Sequence, residues 1–270
     1  MTALAALEAL RPLGLEDLNA AAELQTRVDR KYILPRTALP AVLAQLPAGT
    51  EVLEVGGERL LRYASRYFDT PALDSFLGAA HGRRRRFKVR TRTYVDSGGS
   101  FLEVKTRGGR STTVKERVPV AVDEVHAGLD DAAVGYAAAM LSDAGIPGTE
   151  PIAQRLEPVL TTGYRRATLL VPGDGEQEDA SRGTIDVDLR WRDLHAPAGR
   201  GILTLPDTVI VETKSGCRAG ALDRALWRCG HRPATVSKYG TGLAALRPGL
   251  PHNKWHRTLV RHFRALKGNA

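Results

Sequence analysis

Cysteine is nearly absent: Cys217 and Cys229 are the only two in 270 residues. That is too few for a disulfide framework or for a zinc site built mainly from thiolates, and both read as reduced thiols of a cytoplasmic protein. His81, His126, His195 and His231 are scattered without metal-ligand spacing, which argues against a histidine-based metal or catalytic centre. No apolar run approaches the roughly 18 residues needed to span a bilayer. The opening MTALAALEALRPLGL has no basic stretch before its apolar residues, so no secretory leader is expected. There is neither a repeat at solenoid period nor a low-complexity linker. Acidic residues are the other shortage: 30 Asp and Glu face 39 Lys and Arg, a net charge of +9. Such an excess favours anionic partners, whether phosphates, nucleic acid or acidic membrane surfaces, and does not choose among them. With 43% hydrophobic residues the chain has enough apolar material for a core, which excludes global disorder.

What the chain does have is an alternation. In RRRRFKVRTRTY, Arg83–Tyr94, a strand reading puts Arg84, Arg86, Lys88, Arg90 and Arg92 on one side of the pleat. Arg85, Phe87, Val89, Thr91 and Thr93 fall on the other. Inside a closed sheet, two such charges about 5 Å apart at an effective dielectric near 20 repel by roughly 3 kcal/mol. A bound polyanion or facing carboxylates must offset that. The arrangement recurs. Arg27, Asp29 and Lys31 share a face, as do Phe101, Glu103, Lys105 and Arg107, and Thr113, Lys115 and Arg117. Further along come Arg182, Thr184, Asp186, Asp188 and Arg190, then Ile210, Glu212 and Lys214 opposite Val209, Val211 and Thr213. One such strand could simply show a polar face to bulk water. Recurrence at matching registers favours a barrel with a charged, solvated interior.

The spacing predicts helix over Thr2–Glu23, interrupted at Gly14, and over Thr37–Gln45. Strands are expected at Glu51–Val55 and Arg59–Phe68 with Gly56 and Gly57 between them, and a brief helix at Ala72–Ala80. The basic strand then turns at Ser97–Gly99 into Phe101–Arg107 and again at Gly108 and Gly109 into Ser111–Val122, an antiparallel meander. An Ala-rich helix follows, capped by Asp123 or starting later near Asp130. A second meander covers Val159–Val171, Gly183–Asp193 and Thr208–Lys214, with an acidic loop over Gly173–Ala180. Ala219–Cys229 reads as helix, and His252–Leu266 as a basic amphipathic helix with Trp255, Leu259, Phe263 and Leu266 at helical spacing. That last helix suits core packing or contact with a membrane or partner. Two strand groups flanking one helix suggest a single α+β domain.

The ordered series RKYIL, RYFDT, KVRTRTY, FLEVKTR, VKERV, LEPVLTTGYRRA, RGTIDVDL, VIVETKSG and VSKYGTG resembles the VTC domain. That family is the polyphosphate polymerase branch of the triphosphate tunnel metalloenzyme, or CYTH-like, superfamily. The resemblance implies an α+β fold, an antiparallel β-barrel tunnel with flanking helices, over residues 27–247. A helical segment at 1–26 would precede it and the basic helix at 248–270 follow. It implies a transferase moving the terminal phosphoryl group of ATP to a polyphosphate chain with Mn²⁺ or Mg²⁺. Carried over residue by residue, Arg166, Arg182 and Lys105 would be catalytic. Lys31, Arg90, Arg92, Lys115, Tyr164, Ser237 and Lys238 would bind substrate, and Glu212 would hold the metal. Asp186, Asp188 and Glu103 are candidate helpers or counter-ions. The partners implied are ATP and inorganic polyphosphate, with a separate membrane protein as a further candidate and nucleic acid not expected.

This chain departs from the pattern in two places. Arg165 stands where the family usually has Asn, and the strand Arg27, Asp29, Lys31 lacks the acidic ExExK run of hydrolytic relatives. Losing those carboxylates shifts the expectation from a triphosphatase toward a phosphotransferase. The alternatives are a triphosphatase on the same fold and a non-catalytic polyphosphate or nucleic-acid binder. Arg83–Arg86 could equally anchor a polymer or an acidic lipid.

Overall fold

Pro12 divides the amino-terminal region more finely than its apolar spacing suggests, because a residue before proline is pushed out of helical geometry. Helix α1 (Ala3–Glu8) and helix α2 (Leu15–Ala21) are separated by a short strand, β1 (Arg11–Leu13). The computed structural model describes residues 3–21, 28–107, 113–121, 128–173 and 180–263. Arg27, Gly108, Gly109, Ser111, Asp123, His126, Leu266 and residues 174–179 of the acidic loop lie outside them.

Along the chain come β2 (Val28–Pro35), a 3₁₀ turn at Arg36–Ala38, α3 (Leu39–Leu43), β3 (Glu51–Leu53), β4 (Leu61–Asp69) and α4 (Asp74–Ala80). The first meander is β5 (Arg86–Tyr94), β6 (Gly99–Arg107) and β7 (Thr113–Pro119). Helix α5 (Asp131–Asp143) starts at the later of the two expected positions: the Asp130 carboxylate accepts from the Ala133 amide at 2.7 Å. Helix α6 (Thr149–Gln154) leads into β8 (Glu157–Val171), β9 (Ser181–Asp193), β10 (Ile202–Leu205) and β11 (Thr208–Ser215). The chain ends in α7 (Ala221–Arg228), α8 (Lys238–Leu246), a 3₁₀ turn at Asn253–Trp255 and α9 (His256–His262). The fold is α+β, antiparallel strands with flanking helices. Among the described residues no helix is long and apolar enough to cross a membrane.

Two compact units are formed. The first comprises Met1–Arg62, Tyr164–Leu189 and Leu205–Thr235. Its strands follow the order β2-β11-β9-β8, with β11 antiparallel to both β2 and β9, and β1 pairing β3 in parallel. Tyr32, Leu34, Val209, Val211, Ile185, Val187, Ala167 and Leu169 leave one face of this sheet and pack against α1, α3 and α7.

The second unit comprises Tyr63–Gly163, Arg190–Thr204 and Val236–Ala270, and its strands run β4-β5-β6-β7, all antiparallel. Phe87, Val89, Leu102 and Val104 pack against Ala137 and Leu141 of α5. Each fully buried side chain of this size contributes roughly 1.5–3 kcal/mol. A one-residue slip would drive Lys88 and Arg90 into that core instead. The helices thus fix the register, and register assigns the ions to the opposite face.

Candidate functional site

In the second unit, pairing puts the predicted cations on shared rungs. Lys88, Lys105 and Lys115 are opposite one another, as are Arg90, Glu103 and Arg117. Glu103 is 2% exposed and stands among three of these charges. Arg90 donates through Nε and Nη2 to its Oε2 at 2.8 and 2.6 Å, Lys115 Nζ lies 2.7 Å from Oε1, and Arg92 Nη1 lies 3.8 Å from Oε1. Burial pushes the Glu103 carboxyl up, but Arg90, Arg92 and Lys115 together bring it down to about 2. Tyrosines orient the guanidiniums: Arg90 donates to Tyr67 Oη at 3.0 Å, and Arg92 lies over the Tyr63 ring at 5.9 Å.

Ser237 and Lys238 open α8. The Ser237 hydroxyl accepts from the Gly240 amide and from Lys88 Nζ, both at 3.1 Å. The aromatic after the Ser-Lys pair, Tyr239, stacks on Tyr67 with centroids 5.2 Å apart and donates to buried Asp69 Oδ2 at 2.5 Å. Asp69 also accepts from the amides of Thr70, Ser75 and Phe76. The DT of RYFDT is therefore a fixing point for the helix that carries Ser237 and Lys238.

In the first unit, Lys31 and Glu212 are register partners, with Nζ 3.5 Å from Oε1. Arg166 grips Asp186, 1% exposed, through two bonds of 2.6 and 2.9 Å, and its guanidinium lies 5.2 Å from the centre of the Tyr164 ring. Burial opposes the Arg166 charge, yet Asp186, Tyr164 and Glu212 hold its pKa well above the ordinary value. Arg182 is opposite Lys214 and reaches Asn19 Oδ1 at 3.3 Å.

The structure thus brings Lys31, Tyr164, Arg166, Arg182 and Glu212 into one unit and Arg90, Arg92, Lys105, Lys115, Ser237 and Lys238 into the other. Asp188, named as a helper or counter-ion, has a φ of 54°, and its carboxylate pairs with Arg36 at 2.8 Å and Arg165 Nε at 2.6 Å. The unusual Arg165 is thereby compensated by Asp188, away from Arg166.

A family model, the VTC domain, matches residues 26–247. The chain belongs to the VTC-domain family. Members are phosphate-handling enzymes of the phosphoryl-transfer, tunnel-fold kind. No curated protein matches this VTC domain. Among solved structures it is similar to an adenylate-cyclase candidate from Vibrio parahaemolyticus, at 14% identity and TM-score 0.42 over 82% of this chain and 98% of that one. It is also similar to an adenylyl-cyclase candidate from Hippeastrum described with a dominant triphosphatase activity, at 14% identity and TM-score 0.49 over 84% and 100%. A Pyrococcus horikoshii protein matches at 13% identity and TM-score 0.38 over 77% and 92%.

Tunnel enzymes of this kind generally use divalent metals, and the donors present fit an ion only partly held by protein. Among the described residues no three His, Cys, Asp or Glu side chains cluster into a protein-only cage. Glu212 has a half-buried carboxylate, and its register partner Thr184 keeps a buried hydroxyl with no hydrogen-bond partner among the described residues. Hard oxygens in small number, completed by phosphate and water, are what Mg²⁺ and Mn²⁺ accept.

Sequence reasoning missed Tyr63, Ser65 and Tyr67, whose side chains lie on the cationic side of β4; Ser65 is opposite Arg92 and has a buried hydroxyl without a partner among the described residues. The alternation of YASRY carried that signal.

Proposed function

We propose that this VTC domain is a metal-dependent polyphosphate polymerase, moving the terminal phosphoryl group of ATP onto a phosphate chain and releasing ADP. The observation that carries the reading is the charge imbalance in the second unit: three cations converge on the single carboxylate of Glu103, with Arg117 on its rung and Lys88 and Lys105 beside it. A pleated face so arranged is suited to a string of phosphates.

In the reaction, an oxygen of the acceptor phosphate bonds to the γ-phosphorus while the bond to the β,γ-bridging oxygen breaks and ADP leaves with that oxygen. The acceptor is already ionised at neutral pH, so no general base is required. The obstacle is mutual repulsion of two polyanions, which fixed guanidinium and ammonium groups offset. In the second unit Arg90, Arg92, Lys115, Ser237 and Lys238 bind and orient phosphates, and Lys105 offsets their charge. In the first unit Lys31 and Tyr164 have the binding role, and Arg166 and Arg182 stabilise charge on phosphate oxygens. Glu212 would hold Mn²⁺ or Mg²⁺, which when bound would supply further neutralisation of phosphate charge. The carboxylates support transfer over hydrolysis, since Glu103 at a pKa of about 2 is a poor base and Asp186 is clasped by Arg166. ATP as donor carries with it a cytoplasmic location, any membrane attachment being left to a separate partner protein.

Purified protein incubated with ATP and Mn²⁺ is expected to yield ADP and acid-labile polymer. Free phosphate without polymer would make it a triphosphatase, and binding of polyphosphate without turnover a non-catalytic binder.

A further inference from the structure

Beyond the rung of Lys88, Lys105 and Lys115 the cationic side of the second unit changes character. Arg86 and Arg107 oppose each other directly across β5 and β6. A like-charge pair in that position is destabilising unless an anion answers it. A third cation joins them from outside the family match, which ends at residue 247. Lys254 Nζ donates to the Ala79 carbonyl at 2.7 Å, in the last turn of α4. It is held there by Trp255, 2% exposed, whose ring packs 5.6 Å from Phe76.

Among the described residues no carboxylate pairs with Arg86, Arg107 or Lys254. Arg86 donates to the Arg83 carbonyl at 2.7 Å, and Arg107 Nε is buried with no hydrogen-bond partner among the described residues. Two rungs away Glu103 neutralises its cations. The segment that Lys254 holds lies against Arg86: a Cβ on Gly78, next to Ala79, would stand 3.5 Å from the Arg86 Cβ. Burial, then the charges of Arg86 and Arg107, push the Lys254 pKa down, and burial, then Arg107, that of Arg86.

We propose that Arg86, Arg107 and Lys254 form a second anion subsite that takes an internal phosphate of a long inorganic polyphosphate chain, roughly 13 Å along β5 from Arg90. The ligand class rests on the polymerase reading. A chain rather than a lone headgroup fits because the rung of Lys88 and Lys105 lies between this cluster and Arg90, giving an unbroken series of cations along one face.

The test measures binding without nucleotide or metal, titrating long-chain polyphosphate and tripolyphosphate into wild type, Lys254→Gln and Arg107→Gln. Each variant should bind the long chain up to about ten-fold more weakly, with the slope of log K against log salt reduced by about one. Tripolyphosphate affinity should stay unchanged, which also shows that the variants fold. Unchanged long-chain affinity, or an equal loss for both ligands, overturns the subsite. So does loss of binding to phosphatidylserine vesicles with long-chain affinity intact, which would assign the cluster to lipid. If ATP and Mn²⁺ give no polymer, the polymerase reading fails and this measurement still stands. A wild type that prefers tripolyphosphate would sink the subsite and leave that reading untouched.

Discussion

Glu103 decides the electrostatics of the second unit, because a buried carboxylate among three cations makes their spacing tolerable before any phosphate arrives. Its carboxyl falls from 4.5 to about 2 on folding. The folded value is depressed, so the stability it contributes, of order 3 kcal/mol, is present above pH about 4.5 and lost as pH falls toward 2. Glu103→Gln should therefore unfold at lower denaturant than wild type at pH 7, and the gap should close on acidification toward pH 3. A gap independent of pH would remove the carboxylate from this role. Arg166 makes a different prediction. Arg166→Lys keeps a positive charge but loses the two-pronged grip on Asp186, so turnover with ATP should fall about 10²-fold. Steady-state kinetics checks it; a variant changed only in KM would make Arg166 a binding group.

At the scale of the element, helix α8 is the informative case. It places Ser237 and Lys238, and it is anchored from several sides: Tyr239 to Asp69, the Lys238 carbonyl to Trp191 Nε1 at 2.8 Å, and Gly240 against Trp255. A Cβ at Gly240 would stand inside the van der Waals envelope of the Trp255 ring, and one at Gly242 inside that of Trp191. Gly240→Ala should cost about 1–3 kcal/mol by overpacking, read as a lower thermal midpoint, and weaken tripolyphosphate binding through the displaced helix. An unchanged midpoint would show that Trp255 yields freely.

The same helix shows where sequence reasoning stopped. YGTGLAAL holds two glycines that locally argue against helix, and only the tryptophans packed on it explain why small residues are needed. Strands β5, β6 and β7 were legible because both faces are constrained, one by α5 and one by Glu103 and its cations. Alternation places Asp188 on the polar face, but its partners Arg36 and Arg165 come from other strands and turns, and no side-chain pattern in β9 announces them. Lys88, Arg90 and Arg92 could be placed on one face from alternation, whereas Tyr67 and Asp69 acquired a role only through contacts with Arg90 and Tyr239.

For the whole molecule, 39 basic against 30 acidic residues leave a net charge of +9. Part of that positive charge lies on strand faces whose opposite sides are packed by helices, in each of the two units. Arranging so many like charges is costly for an empty protein and useful for one that holds a polyanion, which links the family membership to the proposed reaction. The most direct test is product analysis after incubation with ATP and Mn²⁺, following ADP and acid-labile polymer together, with Glu212→Gln as the control. The account predicts both products from the wild type and a strong loss of both in the variant. A folded wild-type protein that yields neither product would contradict it.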